Sequence, residues 1–99
     1  MIIQEIDLFE LEDWRKNEYP HALIDVREPE EHQAQNIGGQ LVPLSEIMQI
    51  VEELPQDKAI VFYCKRGIRS KIAIQRLARK RPDLQYYNLR GGIWSILRK

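Results

Sequence analysis

Apolar residues along this chain fall into two rhythms, short unbroken runs and longer stretches in which they recur every three or four positions. The runs lie at 2–6, 22–26, 40–42, 59–63 and 85–89. Ala59-Ile60-Val61-Phe62-Tyr63 has no polar alternation, which predicts a strand covered on both faces, as in a parallel sheet. Ala22-Leu23-Ile24-Asp25-Val26 reads the same way, with one carboxylate near its end.

Between the runs lie helical patterns with recognisable ends. Asp7 and Glu10 make a capping box that opens a helix through Leu8, Leu11 and Trp14. Pro29 suits a first helical position, and Glu30 and Glu31 complement the helix dipole there. Leu44, Ile47, Met48, Val51 and Leu54 form one buried stripe. Ala73, Ile74, Leu77 and Ala78 form another, in a helix expected to begin near Ser70 and stop before Pro82. A last short helix is expected after Gly92. Strands alternating with helices predict an α/β fold, a five-stranded, mainly parallel sheet flanked by helices on both faces.

Composition narrows the class. The 99 residues are 43% hydrophobic and 30% charged, enough for one modest core, so residues 1–99 are expected to form a single domain. No apolar run approaches the roughly 18 residues of a membrane span, and the N-terminus lacks the pattern of a signal peptide. The lone Cys64 excludes an intramolecular disulfide and a cysteine-rich metal site, and a reducing cytoplasm is the expected location. Zero net charge conceals a split: residues 1–50 carry a net charge of −8 and residues 51–99 a net charge of +8. Opposite surfaces neutralising each other is the simpler reading than a polyanion-binding half.

Candidate chemistry concentrates after the run at 59–63. Ligands of parallel sheets bind beyond the carboxyl ends of strands, and there the chain reads Cys64-Lys65-Arg66-Gly67-Ile68-Arg69-Ser70. A loop curling into a helix start points amides inward and adds the positive end of the dipole. Three cations within five residues add full charges, so the anion of a thiol at this place is favoured. Gly67 is free to take positive φ where the loop turns. Cys64 is the candidate nucleophile, and Lys65, Arg66, Gly67, Ile68, Arg69 and Ser70 are the candidate anion-binding residues.

Three motifs, Asp25-Val26-Arg27-Glu28-Pro29-Glu30-Glu31, the Cys64–Ser70 loop and Asn88-Leu89-Arg90-Gly91-Gly92-Ile93, together resemble a single-domain rhodanese over essentially the whole chain. The resemblance implies a rhodanese-like fold and a thiosulfate sulfurtransferase. Cys64 would take sulfane sulfur from thiosulfate or a persulfide and pass it to a thiol or cyanide. It implies no metal or organic cofactor. The expected partners are a small anionic sulfur donor and a sulfur-acceptor protein, with neither nucleic acid nor membrane. Leaving sulfite would benefit from Arg66 or Arg69. The alternatives are a regulatory or protein-binding rhodanese module, a redox sensor with an exposed thiolate, and a phosphatase or arsenate reductase. Phosphatase loops separate cysteine from arginine by five residues, whereas four lie between Cys64 and Arg69.

Asp25 and Arg27 are expected to support the site through salt bridges, for instance Arg27 with Glu31. Ser70 is expected to cap the following helix, with donation to sulfur as its other reading. His21 and His32 are expected to face solvent, and Trp14 and Trp94 to pack or line a rim. Arg79-Lys80-Arg81 reads as a solvated helix end. Two segments depart from the family pattern: Asn36-Ile37-Gly38-Gly39-Gln40 replaces His-Ile-Pro-Gly-Ala, and Trp94 follows Gly92 by only two residues.

Overall fold

The computed structural model describes residues 3–94. Five strands, β1 (Gln4–Ile6), β2 (His21–Asp25), β3 (Gln40–Leu41), β4 (Ala59–Tyr63) and β5 (Gln85–Leu89), form one sheet in the order β1-β5-β4-β2-β3. Every pairing is parallel, with β4 central between β2 and β5. The α/β class and the five-stranded parallel sheet are therefore as the sequence predicts. The apolar runs set these strands to within a residue or two, and the first two residues of the run at 2–6 are Ile2, outside the described residues, and Ile3.

The helices are α1 (Leu8–Lys16), α2 (Pro29–Ala34) and α3 (Ile68–Lys80). Asp7 caps α1 as expected: its Oδ1 accepts the Glu10 amide at 2.8 Å, and Glu10 Oε1 accepts the Asp7 amide at 3.1 Å. Pro29 opens α2. The stripe at 44–54 forms a 3-10 helix over Leu44–Glu53. With three residues per turn rather than 3.6, the stripe drifts, so Ile47, Val51 and Leu54 are buried while Met48, expected inside, is 38% exposed. The short helix expected after Gly92 lies almost wholly outside the described residues.

β4 is buried at every position. Its alternate side chains face two cores. Ile60 and Phe62 pack with Ile24, Ile47, Val51, Ala73, Ile74 and Leu77 on one side, and Val61 and Tyr63 pack with Ile6, Leu11, Leu89 and Ile93 on the other. Removing a buried aliphatic side chain from such a strand costs about 2–5 kcal/mol. The end of β4 is thus held from both faces. The acidic and basic halves of the chain meet in ion pairs, Glu31 with Arg69 and Glu5 with Lys71 and Arg90.

Candidate active site

Cys64 follows the last residue of β4, so its sulfur is delivered by the most constrained strand. The residue is 1% exposed and belongs to the core on the α3 side, while it also forms part of the wall of a cleft. Gly67 turns the chain at φ +92°, a conformation that disfavours side chains. Its amide then points back and donates to Cys64 Sγ at 3.0 Å. From this turn α3 starts at once, at Ile68, earlier than the expected start near Ser70.

That early start overturns the reading of Ser70 as a helix cap. Gly67 occupies the cap position, and Ser70 lies inside the first turn, fully buried. Its Oγ is 3.4 Å from Cys64 Sγ, and its hydroxyl donates to Asn88 Oδ1. A buried hydroxyl needs a partner, and Ser70 finds Asn88 and the sulfur rather than the helix end.

The cleft beside the sulfur holds about 150 Å³ and is lined by Cys64, Lys65, Arg66, Ile68 and Arg69. Lys65 Nζ and Arg66 Cζ lie 5.2 and 4.5 Å from the centroid of the Trp94 ring, which restrains two long cationic side chains at the rim. Ile68 is 68% exposed beside them. Arg69 also lines the cleft, but its guanidinium donates in parallel to both Glu31 oxygens, at 2.7 and 3.0 Å. The fork-to-fork pair drives the Glu31 carboxyl down to about 2, through Arg69 first and despite partial burial. Arg69 therefore meets the cleft already paired, whereas Lys65 and Arg66 have no carboxylate partner among the described ion pairs.

Asp25 and Arg27, expected near the site, are brought together at the carboxyl end of the neighbouring strand β2 but do not line the cleft. Arg27 pairs with Asp25 and not with Glu31: its Nε and Nη2 reach the carboxylate at 2.9 and 2.8 Å, and its backbone amide adds a third bond at 2.9 Å. Burial alone would raise the Asp25 carboxyl, but the hydrogen bonds of Arg27 and His32 outweigh it and hold it below the usual range. His32 Nδ1 lies 2.8 Å from Asp25 Oδ2, so the expected solvent-facing histidine is instead tied to a buried carboxylate. Arg27 Nη2 also donates to Gln35 O at 2.7 Å, anchoring the end of α2. Since α2 carries Glu31, the cluster reaches the candidate site through Arg69.

The two departures from the family pattern have clear local structure. Tyr63, the last residue of β4, donates to Gly38 O at 2.9 Å, and Asn36 Oδ1 accepts the Gly38 amide at 2.8 Å. Burial, with the Asp25 charge behind it, pushes the Tyr63 hydroxyl up to about 12. At the other segment, the amides of Ile93 and Trp94 donate to the carbonyls of Cys64 and Lys65 at 3.1 and 2.9 Å. A Cβ at Gly92 would fall under 3 Å from those same backbone atoms. The Gly91-Gly92 turn is thus the back plate of the Cys64 loop, a role its spacing to Trp94 did not foretell.

Sequence reasoning missed Glu5 and assigned neither Glu31 to Arg69 nor a role to Asn88. The signal for Asn88 was present: a lone amide beside Leu89 at the end of a buried strand must find partners. It does so by accepting from Ser70 and donating to Glu5 Oε2 at 3.0 Å. Nothing in the local pattern marks Glu5, or Arg69 as the partner of Glu31, because these pairs form across the fold.

Known proteins give the site a context. The chain is 40% identical over 82 residues to the uncharacterized protein YqhL of Bacillus subtilis, covering 82% of this chain and 64% of that one. It is 41% identical over 87 residues to the probable adenylyltransferase/sulfurtransferase MoeZ of Mycobacterium tuberculosis, covering 85% of this chain and 22% of that one. It therefore spans less than two thirds of these curated relatives. The crystal structure of reduced Bacillus anthracis CoADR-RHD superposes with a TM-score of 0.79 at 33% identity, over 92% of this chain and 16% of that one. The family description "Rhodanese-like domain" matches residues 9–99. By sequence match over nearly its whole length and by the architecture of its sheet, the chain belongs to the rhodanese-like domain family.

Proposed function

We propose that this chain is a thiosulfate sulfurtransferase that carries sulfane sulfur as a persulfide on Cys64. The observation that carries the reading is the Gly67 amide donating to Sγ at 3.0 Å on a cleft whose rim bears Lys65 and Arg66. Both features favour negative charge on sulfur and an anionic ligand beside it.

The reaction is two displacements. In the first, the Cys64 thiolate attacks the outer sulfur of thiosulfate, an S–S bond forms to Sγ, and the bond to the sulfonate sulfur breaks. Sulfite leaves with that electron pair, held by Lys65 and Arg66. In the second, cyanide or an acceptor thiolate attacks the outer sulfur of the persulfide. Thiocyanate or a new persulfide departs, and the electron pair of the broken bond restores the Cys64 thiolate. No electron acceptor or cofactor enters either step.

Residues assume distinct roles in this reading. Gly67 supplies the amide at Sγ, and Ser70 can turn its hydroxyl to the sulfur. The leading amides of α3, which lack intrahelical partners, offer donors to the outer sulfur. Arg69 acts mainly through Glu31, fixing the loop to α2, so the expected sulfite contact falls to Arg66 with Lys65. Ile68, exposed between these cations, suits an acidic acceptor protein with an apolar contact. We further read residues 1–99 as one domain working in the cytoplasm, where acceptor thiols stay reduced.

The test is turnover of thiosulfate with cyanide. Thiocyanate should form with ping-pong kinetics, and Cys64→Ser should abolish it. Undiminished turnover in Cys64→Ser, or no turnover with any sulfane donor by the native chain, overturns the assignment.

A further inference from the structure

A chain of polar contacts runs from the edge of the sheet to the sulfur, and its polarity is set at the far end. Glu5 on β1 presents a carboxylate that only accepts hydrogen bonds. Asn88 on β5 must therefore turn its NH2 toward Glu5, as it does at 3.0 Å, which leaves Oδ1 facing Ser70. Oδ1 also only accepts, so the Ser70 hydroxyl must donate to it. The lone pairs of Ser70 Oγ are then what faces Cys64 Sγ at 3.4 Å.

Asn88 and Ser70 are both fully buried, so bulk water does not reach either partner. In this arrangement Ser70 Oγ can accept a hydrogen bond from the neutral thiol and its hydroxyl cannot donate to sulfur. For Ser70 to stabilise a thiolate or persulfide, its hydroxyl must leave Asn88 and rotate to Sγ. The Gly67 amide donates to Sγ in either state.

We propose that Glu5 and Asn88 are positioning residues that hold the Ser70 hydroxyl turned away from Cys64, withholding its hydrogen bond from the sulfur until the hydroxyl rotates. This rests on Cys64 being the nucleophile of the proposed function, and it adds a restraint on that nucleophile rather than a further step. The charged groups around the relay are Lys71 and Arg90, 3.6 and 3.8 Å from Glu5, with Lys65, Arg66 and Arg69 around the sulfur.

Glu5→Gln tests it, because a glutamine can donate to Asn88 Oδ1, let the amide flip, and so free the Ser70 hydroxyl for sulfur. Glu5 is on a short edge strand, and the isosteric change leaves the fold's core untouched. The rate of Cys64 alkylation by iodoacetamide at neutral pH should rise about tenfold or more, the worth of one hydrogen bond to an anion. Removing the Glu5 charge also favours a thiolate through space, so the same substitution is made in Ser70→Ala. There the relay has no hydroxyl to turn, so the rise should shrink to the through-space part alone. An equal rise in both backgrounds, or no rise in the native one, overturns the relay. If Ser70→Ala does not fold, Asn88→Ala takes its place. It should raise alkylation as Glu5→Gln does, and the rise in the double variant should fall well short of the two combined; fully additive rises overturn the relay. Alkylation needs no sulfur donor, so a chain that shows the coupling but forms no persulfide would retain the relay and lose the proposed function.

Discussion

Two charged clusters stand at the carboxyl ends of adjacent strands, and they are built on opposite terms. At the end of β2, Asp25 is wrapped by three nitrogen donors of Arg27 and by His32, and the pair is buried. At the end of β4, Lys65 and Arg66 stack on Trp94 and face a cleft, with a thiol behind them. Both look alike as strings of charged letters after an apolar run. What separates them is whether each charge finds its partner inside the protein. Saturated charges fix the backbone; charges left facing a cleft are available to a ligand. The Glu31–Arg69 pair is the hinge between the two clusters, since one partner rides on α2 and the other starts α3.

The contrast breaks most visibly at Arg27. Arg27→Ala strands the buried Asp25 carboxylate, and loss of one partner from such a pair costs about 3–5 kcal/mol. Urea denaturation should show that loss, while the fraction that remains folded keeps near-native sulfur transfer. A stable Arg27→Ala with a rate defect alone would move Arg27 from support into chemistry.

The complementary break is in the back plate. Gly92→Ala forces a Cβ against the carbonyls of Cys64 and Lys65, and a displacement of about 1 Å at a reacting atom can cost on the order of 100-fold in rate. Steady-state turnover should fall by that order with a smaller change in stability. Unchanged turnover would mean the loop does not depend on this turn.

A charge at the rim should matter less, and differently. Removing both Lys65 and Arg66 as alanines should raise KM for thiosulfate about tenfold with kcat nearly kept, and the native KM should rise with ionic strength. A salt-independent KM would argue against ligand capture by these cations.

The smallest effect expected is acid sensitivity at Glu31. Its carboxyl drops from 4.5 to about 2 in the folded chain, so the stabilisation it brings is complete above pH 4.5 and disappears as the pH falls toward 2. Stability of Glu31→Gln should therefore fall less steeply than that of the native chain across this interval. Asp25, also held low, keeps a share of the acid response in both. Parallel curves would mean the Arg69 pair is not formed in solution.

The sheet was legible because burial on two faces leaves an unmistakable run, as at Ala59–Tyr63, and because strand and helix periods differ. The thiol and its basic loop were legible as well, since they are contiguous in the chain. The long-range partners were not. Arg69 is matched by a residue 38 positions away and Asn88 by one 83 positions away, and no local period encodes such pairs. Ser70 was misread for a related reason: a positive-φ glycine started α3 two residues early and turned the hydroxyl inward. The 3-10 form of the segment at 44–54 escaped because its apolar spacing fits an α-helix almost as well.

Sulfur carriage on Cys64 is tested most directly by intact mass spectrometry with peptide mapping after incubation with thiosulfate. One added sulfur atom should appear on the peptide containing Cys64 and disappear on treatment with a small thiol. An unchanged mass, or a gain of oxygen alone, would contradict it.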